Sequence, residues 1–205
     1  MANDDNPRGL IPINLGRPSE AHWYRASSGT DIYVGDPVTM NAAGYVTIAS
    51  DAAAAVPTLG IALGFADTLK AGLPNDDPFL DVSDLTPKTS GRTAGDVWVL
   101  VADSPNQMFF VQEDTGGTAL ALADVGASID YIRRGTRGNA DTGWANIEID
   151  ASTIAAASTA GNAQILGLAD TVNLDGTNNA VGDYAKWVCK FLHHQRAGGT
   201  TGTAV

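Results

Sequence analysis

Apolar and polar residues alternate with a period of two in several short segments of the chain, which is typical of strands rather than helices. The clearest case is residues 96–102, where valines on one face alternate with larger apolar side chains on the other. Residues 103–106 supply the Asp, Ser, Pro and Asn of a type I turn, and residues 107–112 are strand-like again. This arrangement predicts a hairpin over residues 96–112.

Eight further short segments are apolar and are bounded by Gly, Asn, Asp or Pro, so they also predict strands. They cover residues 32–34, 38–40, 45–48, 58–65, 126–132, 144–149, 164–169 and 184–192. Residues 151–163 are rich in Ala, Ser and Thr and are interpreted as either a short helix or a loop. Many short strands with little helix predict an all-β fold, a small β-barrel or sandwich body of short antiparallel strands.

The first 30 residues have a different pattern. Pro7, Pro12 and Pro18 recur at short intervals, which blocks a continuous helix and favours extended backbone. Apolar residues are scattered between them, and an extended segment cannot bury such residues on itself. We therefore predict an extended N-terminal arm that lies on a surface, either of its own domain or of a neighbouring protein. An ordinary first strand of the body is the alternative.

These patterns divide the chain into three parts. Residues 1–30 form the predicted arm, residues 31–193 the β-barrel or sandwich body, and residues 194–205 a flexible tail rich in Gly and Thr. Within the body, residues 67–95 contain three prolines and an acidic cluster, which predicts a long exposed loop.

The charge is distributed unevenly along the chain. The sequence has 23 acidic and 12 basic residues, for a net charge of −11, and 44% of its residues are hydrophobic. Residues 31–130 carry the whole excess, with 14 acidic residues against Lys70, Lys88 and Arg92. Nucleic acid and anionic membranes repel such a chain, so we expect no direct binding to either. The balanced ends suit contact with another protein, whereas the alternative interpretation is that acidity serves solubility alone.

Other features limit the chemistry and the location of the protein. The single cysteine, Cys189, excludes an internal disulfide and a cysteine-built zinc site, and its place between Trp187 and Phe191 on one strand face predicts a buried, inert thiol. No apolar run approaches the roughly 18 residues of a membrane span, and the N-terminus lacks a secretion signal. We expect a soluble protein made inside the cell.

Catalytic and metal-binding signals are weak. His193 and His194 are adjacent, so on a strand they point to opposite faces and cannot chelate one metal. The motifs of serine hydrolases, phosphate-binding loops, dinucleotide folds and zinc proteases do not occur. Two acidic loops, at residues 76–84 and 173–178, offer oxygen ligands but lack the full calcium-loop spacing, so solvated loops are the preferred interpretation. The sequence therefore predicts a protein that is not an enzyme and has no metal and no cofactor.

Five segments resemble one family. Residues 1–12, MANDDNPRGLIP, resemble the start of the head decoration (cement) proteins of tailed bacteriophages. Similar segments follow in the same order as in that family: SGTDIYVGDPV at 28–38, VLVADSP at 99–105, FVQED at 110–114 and AKWVCKFLH at 185–193. The acidic loop near Asp76 and the C-terminal tail depart from the family pattern.

The resemblance implies a virion structural protein that is made in the host cytoplasm and binds the outer surface of the assembled phage head. Its partners would be the major capsid protein and its own copies, commonly as a homotrimer at local threefold axes, with no small-molecule substrate. We expect the arm to clamp neighbouring capsid subunits, so that several weak contacts act together. The expected partner-binding residues are the anchors Leu10, Pro12, Ile13, Trp23 and Tyr24, together with Arg8, Arg17 and Arg25, which would pair with carboxylates on the shell.

The alternative function is a β-sandwich module that binds carbohydrate or a host-surface ligand through an exposed Trp98 or Trp144. Both tryptophans lie in predicted strands, where a core position is the ordinary interpretation. A small hydrolase would require a nucleophile and base pair that the sequence does not contain.

Overall fold

The computed structural model describes residues 3–13, 21–28, 31–50, 57–66, 94–95, 97–138, 142–155 and 161–196, without the side chains of residues 136 and 137. These residues form eleven strands and one short 3-10 turn, Leu122–Asp124, and they contain no α-helix. The strands are β1 (Ile11–Ile13), β2 (Ala21–Arg25), β3 (Pro37–Met40), β4 (Val46–Ile48), β5 (Gly60–Ala66), β6 (Trp98–Ala102), β7 (Met108–Gln112), β8 (Ser128–Gly138), β9 (Ala145–Ala155), β10 (Ala163–Leu168) and β11 (Lys186–Phe191).

The strands make two antiparallel sheets. One sheet has six strands in the order β1-β7-β11-β10-β8-β9, and the other has five in the order β2-β6-β5-β3-β4. The all-β prediction is confirmed. Because neither sheet closes on itself, the body is like a sandwich and not a closed barrel.

Each sheet buries the face that the alternating pattern predicts. Val99 and Val101 of β6 are fully buried in the core cluster of the five-stranded sheet, and Trp187 and Cys189 of β11 are fully buried in that of the six-stranded sheet. Burial raises the pKa of the Cys189 thiol far above its ordinary value, so the thiol stays protonated at neutral pH.

The hairpin predicted over residues 96–112 is wrong. β6 pairs with β2 and β5, whereas β7 pairs with β1 and β11, so residues 103–107 carry the chain from one sheet to the other. Gln107 holds this corner, with its Nε2 donating to the backbone oxygen of Ile13 at 2.8 Å. Turn residues predict a change of direction, but they do not determine which sheet the next strand joins. β3 and β4, by contrast, do pair with each other in a hairpin.

The described part of the N-terminal region belongs to the body and is not a separate arm. β1 pairs with β7 at one edge of the six-stranded sheet, and β2 pairs with β6 at one edge of the five-stranded sheet. Leu10, just before β1, is fully buried in the core of the six-stranded sheet. The predicted boundary at residue 30 is therefore wrong. The edge strands of the two sheets pair with β1 and β2, and the core has a place for Leu10.

Two glycines allow the N-terminal segment to cross the body. Gly9 and Gly35 both have positive φ, at 69° and 91°, and Leu10 N donates to Gly35 O at 2.9 Å. A Cβ atom on Gly9 would lie 2.7 Å from Gly35 O, and one on Gly35 would lie 2.6 Å from the backbone oxygen of Arg8. Only glycine fits both the backbone conformation and the space at this crossing.

The C-terminal end also differs from the prediction. Gln195 exchanges hydrogen bonds with the backbone of Met40, at 2.8 and 3.1 Å, and His194 is buried, so residues 194–196 belong to the body. Residues 151–155 continue β9, so the prediction of a short helix or a loop is wrong there. Residues 67–93, where a loop is predicted, residues 156–160, and residues 197–205, where a flexible tail is predicted, lie outside the described residues.

Candidate functional site

The outward side of the six-stranded sheet carries apolar side chains in two rows across three strands. Phe110 lies opposite Ile11 on one side and Val188 on the other, and Met108 lies opposite Ile13. All five side chains are half-buried, and we call them the outer apolar face. Solvated faces of antiparallel sheets are usually polar, so this face is a candidate for binding another protein.

A shallow groove adjoins the outer apolar face. Val172 and Leu174 stand beside it with exposed fractions of 61% and 74%. With Ile11, Phe110 and Lys186 they line a cavity of about 160 Å³. The loop that carries Leu174 is tied to the N-terminal segment, because Leu174 N donates to Asp4 Oδ2 at 2.7 Å. The exposed apolar area thus extends beyond the sheet onto a fixed loop.

The predicted partner-binding residues between 8 and 13 differ in how far the structure buries them. Leu10 is fully buried in the protein's own core, so its assignment as a partner-binding residue is wrong. Ile13 lies on the outer apolar face, and Pro12 lies opposite Phe109 in β1, where a proline is tolerated because the strand is at a sheet edge. Arg8 is exposed. Arg17 lies outside the described residues.

The anchors predicted in β2 lie on both faces of the five-stranded sheet. Tyr24 packs against the core of that sheet. Trp23 is half-buried and belongs to neither core cluster, and Arg25 is exposed, with its guanidinium 5.2 Å from the ring centroid of Trp98. Arg25 therefore covers one face of the Trp98 ring, which makes Trp98 a weaker candidate for stacking on a carbohydrate.

A buried carboxylate, Asp103, ties β2 to the C-terminal end at the corner between the sheets. His22 Nδ1 lies 2.8 Å from Asp103 Oδ1, and Tyr24 Oη and Arg196 Nη1 both donate to Asp103 Oδ2. Burial, followed by the contact with Asp103, raises the pKa of Tyr24 to about 12. A phenol held neutral in this way serves as a hydrogen-bond donor, so the cluster stabilises the fold.

A polar cleft lies between the N-terminal segment and the β8–β9 hairpin. It consists of two adjoining cavities of about 300 and 360 Å³ that share Asp5, Pro7 and Asn146. The remaining lining residues are Asn6, Arg8, Thr115, Arg134, Thr142, Trp144, Glu148 and Tyr184.

Buried side chains fix one side of the polar cleft. Gln112 Nε2 donates to Glu148 Oε1 at 2.8 Å and to Asp5 Oδ1 at 3.1 Å. Arg134 Nε donates to Glu148 Oε2 at 3.2 Å, and Arg134 also pairs with Asp114. Burial is the main cause that raises the pKa of Glu148 above its ordinary value. The network holds the acidic side chains in defined positions.

Glu113 lies beneath this network and is fully buried. The indole N–H of Trp187 donates to its Oε2, and Leu120 N donates to its Oε1 at 3.3 Å. Burial raises the pKa of Glu113 to about 7 despite both hydrogen bonds. The folded protein therefore holds this proton at pH values where an unfolded chain has released it.

The pKa of Glu113 predicts a pH-dependent stability. As the pH rises from 4.5 to about 7, the unfolded chain loses the proton first, so the free energy of unfolding falls across this window. The pKa difference corresponds to about 3 kcal/mol. Urea denaturation of the wild type and Glu113→Gln at several pH values should show the variant gaining relative stability as the pH rises. A difference that is constant with pH would contradict the prediction.

The described residues show few other signs of chemistry. The described residues hold no group of three or more His, Cys, Asp or Glu side chains placed to bind a metal ion, and no helix among them is long and apolar enough to cross a bilayer. Residues 76–84, where an acidic loop is predicted, lie outside the described residues. In the loop at 173–178, Asp175 Oδ1 accepts hydrogen bonds from the backbone and hydroxyl of Thr177.

Comparisons with protein-family models, curated proteins and solved structures give no match.

Proposed function

We propose that the protein is a capsid decoration protein of a tailed bacteriophage. It binds the outside of the assembled head and stabilises it by joining neighbouring major capsid subunits. The outer apolar face is the observation that carries this proposal, and the ordered sequence similarities to decoration proteins agree with it.

The charges around the outer apolar face support a protein partner. Lys190 lies opposite Met108 at one end of the face, and Lys186 lines the groove beside Leu174. Both are basic, although the chain as a whole has a net charge of −11. A shell surface with apolar residues at its centre and carboxylates around them would complement this face.

The burial of Leu10 changes the proposed mode of binding. In place of a loose arm, a preformed sheet face makes the contact, with Ile11, Ile13 and Phe110 at its centre. Arg8 and Arg25 are exposed and remain candidates to pair with carboxylates on the shell. A homotrimer would present three such faces at once, so that contacts too weak to hold one copy would hold three.

Substitutions on the face and in the core test the proposal. We expect Phe110→Thr to weaken binding to undecorated, expanded heads of the phage that encodes the chain by about tenfold or more, since one large apolar contact is lost. Its melting temperature should fall less than that of Leu10→Ala, because Phe110 keeps part of its surface exposed whereas Leu10 is fully buried. Leu10→Ala should lower the free energy of unfolding by about 2–5 kcal/mol and leave the dissociation constant of the folded protein unchanged. Sedimentation of protein with heads measures the first effect and chemical denaturation the second.

A matched control is Leu122→Ser, since Leu122 is 63% exposed and lies outside the outer apolar face. It should bind heads like the wild type. Equal binding by Phe110→Thr and the wild type would refute this face as the contact. Light scattering on the free protein checks the oligomer, for which a mass near three times 21.1 kDa is expected.

A further inference from the structure

We propose that the polar cleft binds a hexopyranose unit of a neutral glycan. This activity goes beyond capsid decoration and does not rest on it, because, apart from Arg8, the residues that carry it are not those that the proposed function uses. Three properties of the cleft support the assignment: its size, its aromatic wall and its fixed polar groups.

The size of the cleft suits a small polar molecule. The two adjoining cavities, of about 300 and 360 Å³, lie within the range of small-molecule sites, roughly 300–1,000 Å³. Their lining is mainly polar, with Pro7 and Trp144 as the large apolar contributions. A lipid or another wholly apolar ligand would leave these polar groups without water or a partner.

Trp144 provides a rigid aromatic wall. Its side chain is half-buried and packs against the core of the five-stranded sheet. The backbone on both sides of it is fixed, because Val34 N donates to Gly143 O at 3.0 Å and Ala145 N donates to Val34 O at 2.9 Å. The C–H groups on one face of a pyranose ring are apolar and stack on such a ring, while the hydroxyl groups at the rim stay free for hydrogen bonds.

The polar groups around Trp144 match the hydroxyls of a sugar. Arg8 and Asp5 are planar groups with two neighbouring donor or acceptor positions, which suit pairs of adjacent hydroxyls. Gln112 holds Asp5 in place, so little conformational entropy is lost when a ligand binds.

The charges in the cleft favour a neutral ligand. Arg134 already pairs with Asp114 and Glu148, so its charge is compensated. Arg8 and Asp5, of opposite sign, both line the second cavity. A phosphate or a carboxylate would meet Asp5 and Glu148, which repel it. The geometry therefore favours an uncharged saccharide over a nucleotide or an acidic metabolite.

The test uses the full chain and saturation-transfer NMR, with the signal observed on the sugar. The probes are the methyl glycosides of glucose, galactose and mannose, together with N-acetylglucosamine. Adenosine is the control, because its base can stack on an aromatic ring but it contains no hexopyranose. We expect at least one glycoside to bind saturably in the millimolar range and not to be displaced by adenosine. Saturable binding of none of the four sugars, or preferential binding of adenosine, would overturn the proposal.

Paired variants locate the binding. Asp5→Ala and Arg8→Ala replace exposed side chains, and each should weaken sugar binding by about fivefold, which is the loss of one hydrogen-bonding group. Trp144→Phe keeps an aromatic core residue and should weaken binding through its smaller ring. Trp98→Phe is the matched control, because Trp98 lies outside the cleft, and it should bind like the wild type. If Trp98→Phe lost binding and Trp144→Phe kept it, the cleft would be excluded as the site. Circular dichroism confirms that each variant is folded.

Discussion

Replacing Asp36 with alanine is expected to lower the free energy of unfolding by about 3–5 kcal/mol. Asp36 is fully buried and accepts a hydrogen bond from Tyr33 N at 2.8 Å and one from Arg133 Nη2 at 3.3 Å. The Arg133 side chain is only 9% exposed, so the variant would leave a guanidinium charge inside the protein without its carboxylate. An uncompensated buried charge is among the costliest changes that a fold can suffer.

A double variant separates the charge from the loss of side-chain volume. Asp36→Ala combined with Arg133→Met removes both charges and keeps much of the arginine's apolar stem. We expect it to recover part of the stability lost by Asp36→Ala alone. Guanidinium denaturation of all variants at one pH measures the coupling. A cost below about 1 kcal/mol for the single variant would show that water reaches Arg133 and compensates its charge.

The second large effect is expected for Trp187→Ala, at about 3–5 kcal/mol. Trp187 is the largest fully buried side chain among the described residues, and it belongs to the same core cluster as Cys189 and Phe109. Its removal leaves a cavity that the sheets cannot close, since strands on both sides of β11 hold it in register. The loss should appear as a lower midpoint of denaturation with an unchanged slope.

Trp187→Phe distinguishes packing from hydrogen bonding. Phenylalanine fills most of the space but cannot donate to Glu113 Oε2, so the carboxylate loses a partner that favours its charged form. We expect the variant to be more destabilised at pH 8 than at pH 5, since only the ionised form of Glu113 needs that donor strongly. Equal destabilisation of the phenylalanine variant at the two pH values would assign the whole effect to packing.

The sequence predicted the strands of the body better than their partners. β3 to β7, β10 and β11 lie within or close to the predicted segments because each strand buries one face, and that burial leaves a period of two in the sequence. β8 and β9 begin in their predicted segments but continue beyond them, to Gly138 and Ala155. Pairing is decided by which edge is free and by the direction in which the chain leaves each strand. The corner at residues 103–107 shows this: Asp103 and Gln107 form contacts to β2 and β1, which are distant in sequence.

The N-terminal prediction failed because prolines do not distinguish an edge strand from a free segment. Pro12 cannot donate a ladder hydrogen bond, yet β1 sits at the edge of its sheet, where one side of the strand needs no partner. The residues around Leu10 in the sequence do not indicate that the protein's own core has a place for its side chain. The prediction that Leu10 binds a partner is wrong for that reason.

The candidate surfaces were predictable to different degrees. The run Met108-Phe-Phe-Val111 is apolar on both faces of a strand, so the outer apolar face has a visible signal in the sequence. The polar cleft has none, because Asp5 and Trp144 meet only through the crossing of the N-terminal segment over the body. Trp144 was a candidate ligand contact from its residue type alone, and the structure adds the polar groups around it.

If the protein is a decoration protein, as we propose, the incorporation of β1 into the sheet would affect how fast it adds to a shell. Residues 11 and 13 are already ordered in β1, so docking through them would be an encounter of two preformed surfaces with no local folding step. The association rate should then depend on diffusion, orientation and ionic strength. Heads would acquire their coat at a rate proportional to the concentration of free protein, without a lag for chain ordering.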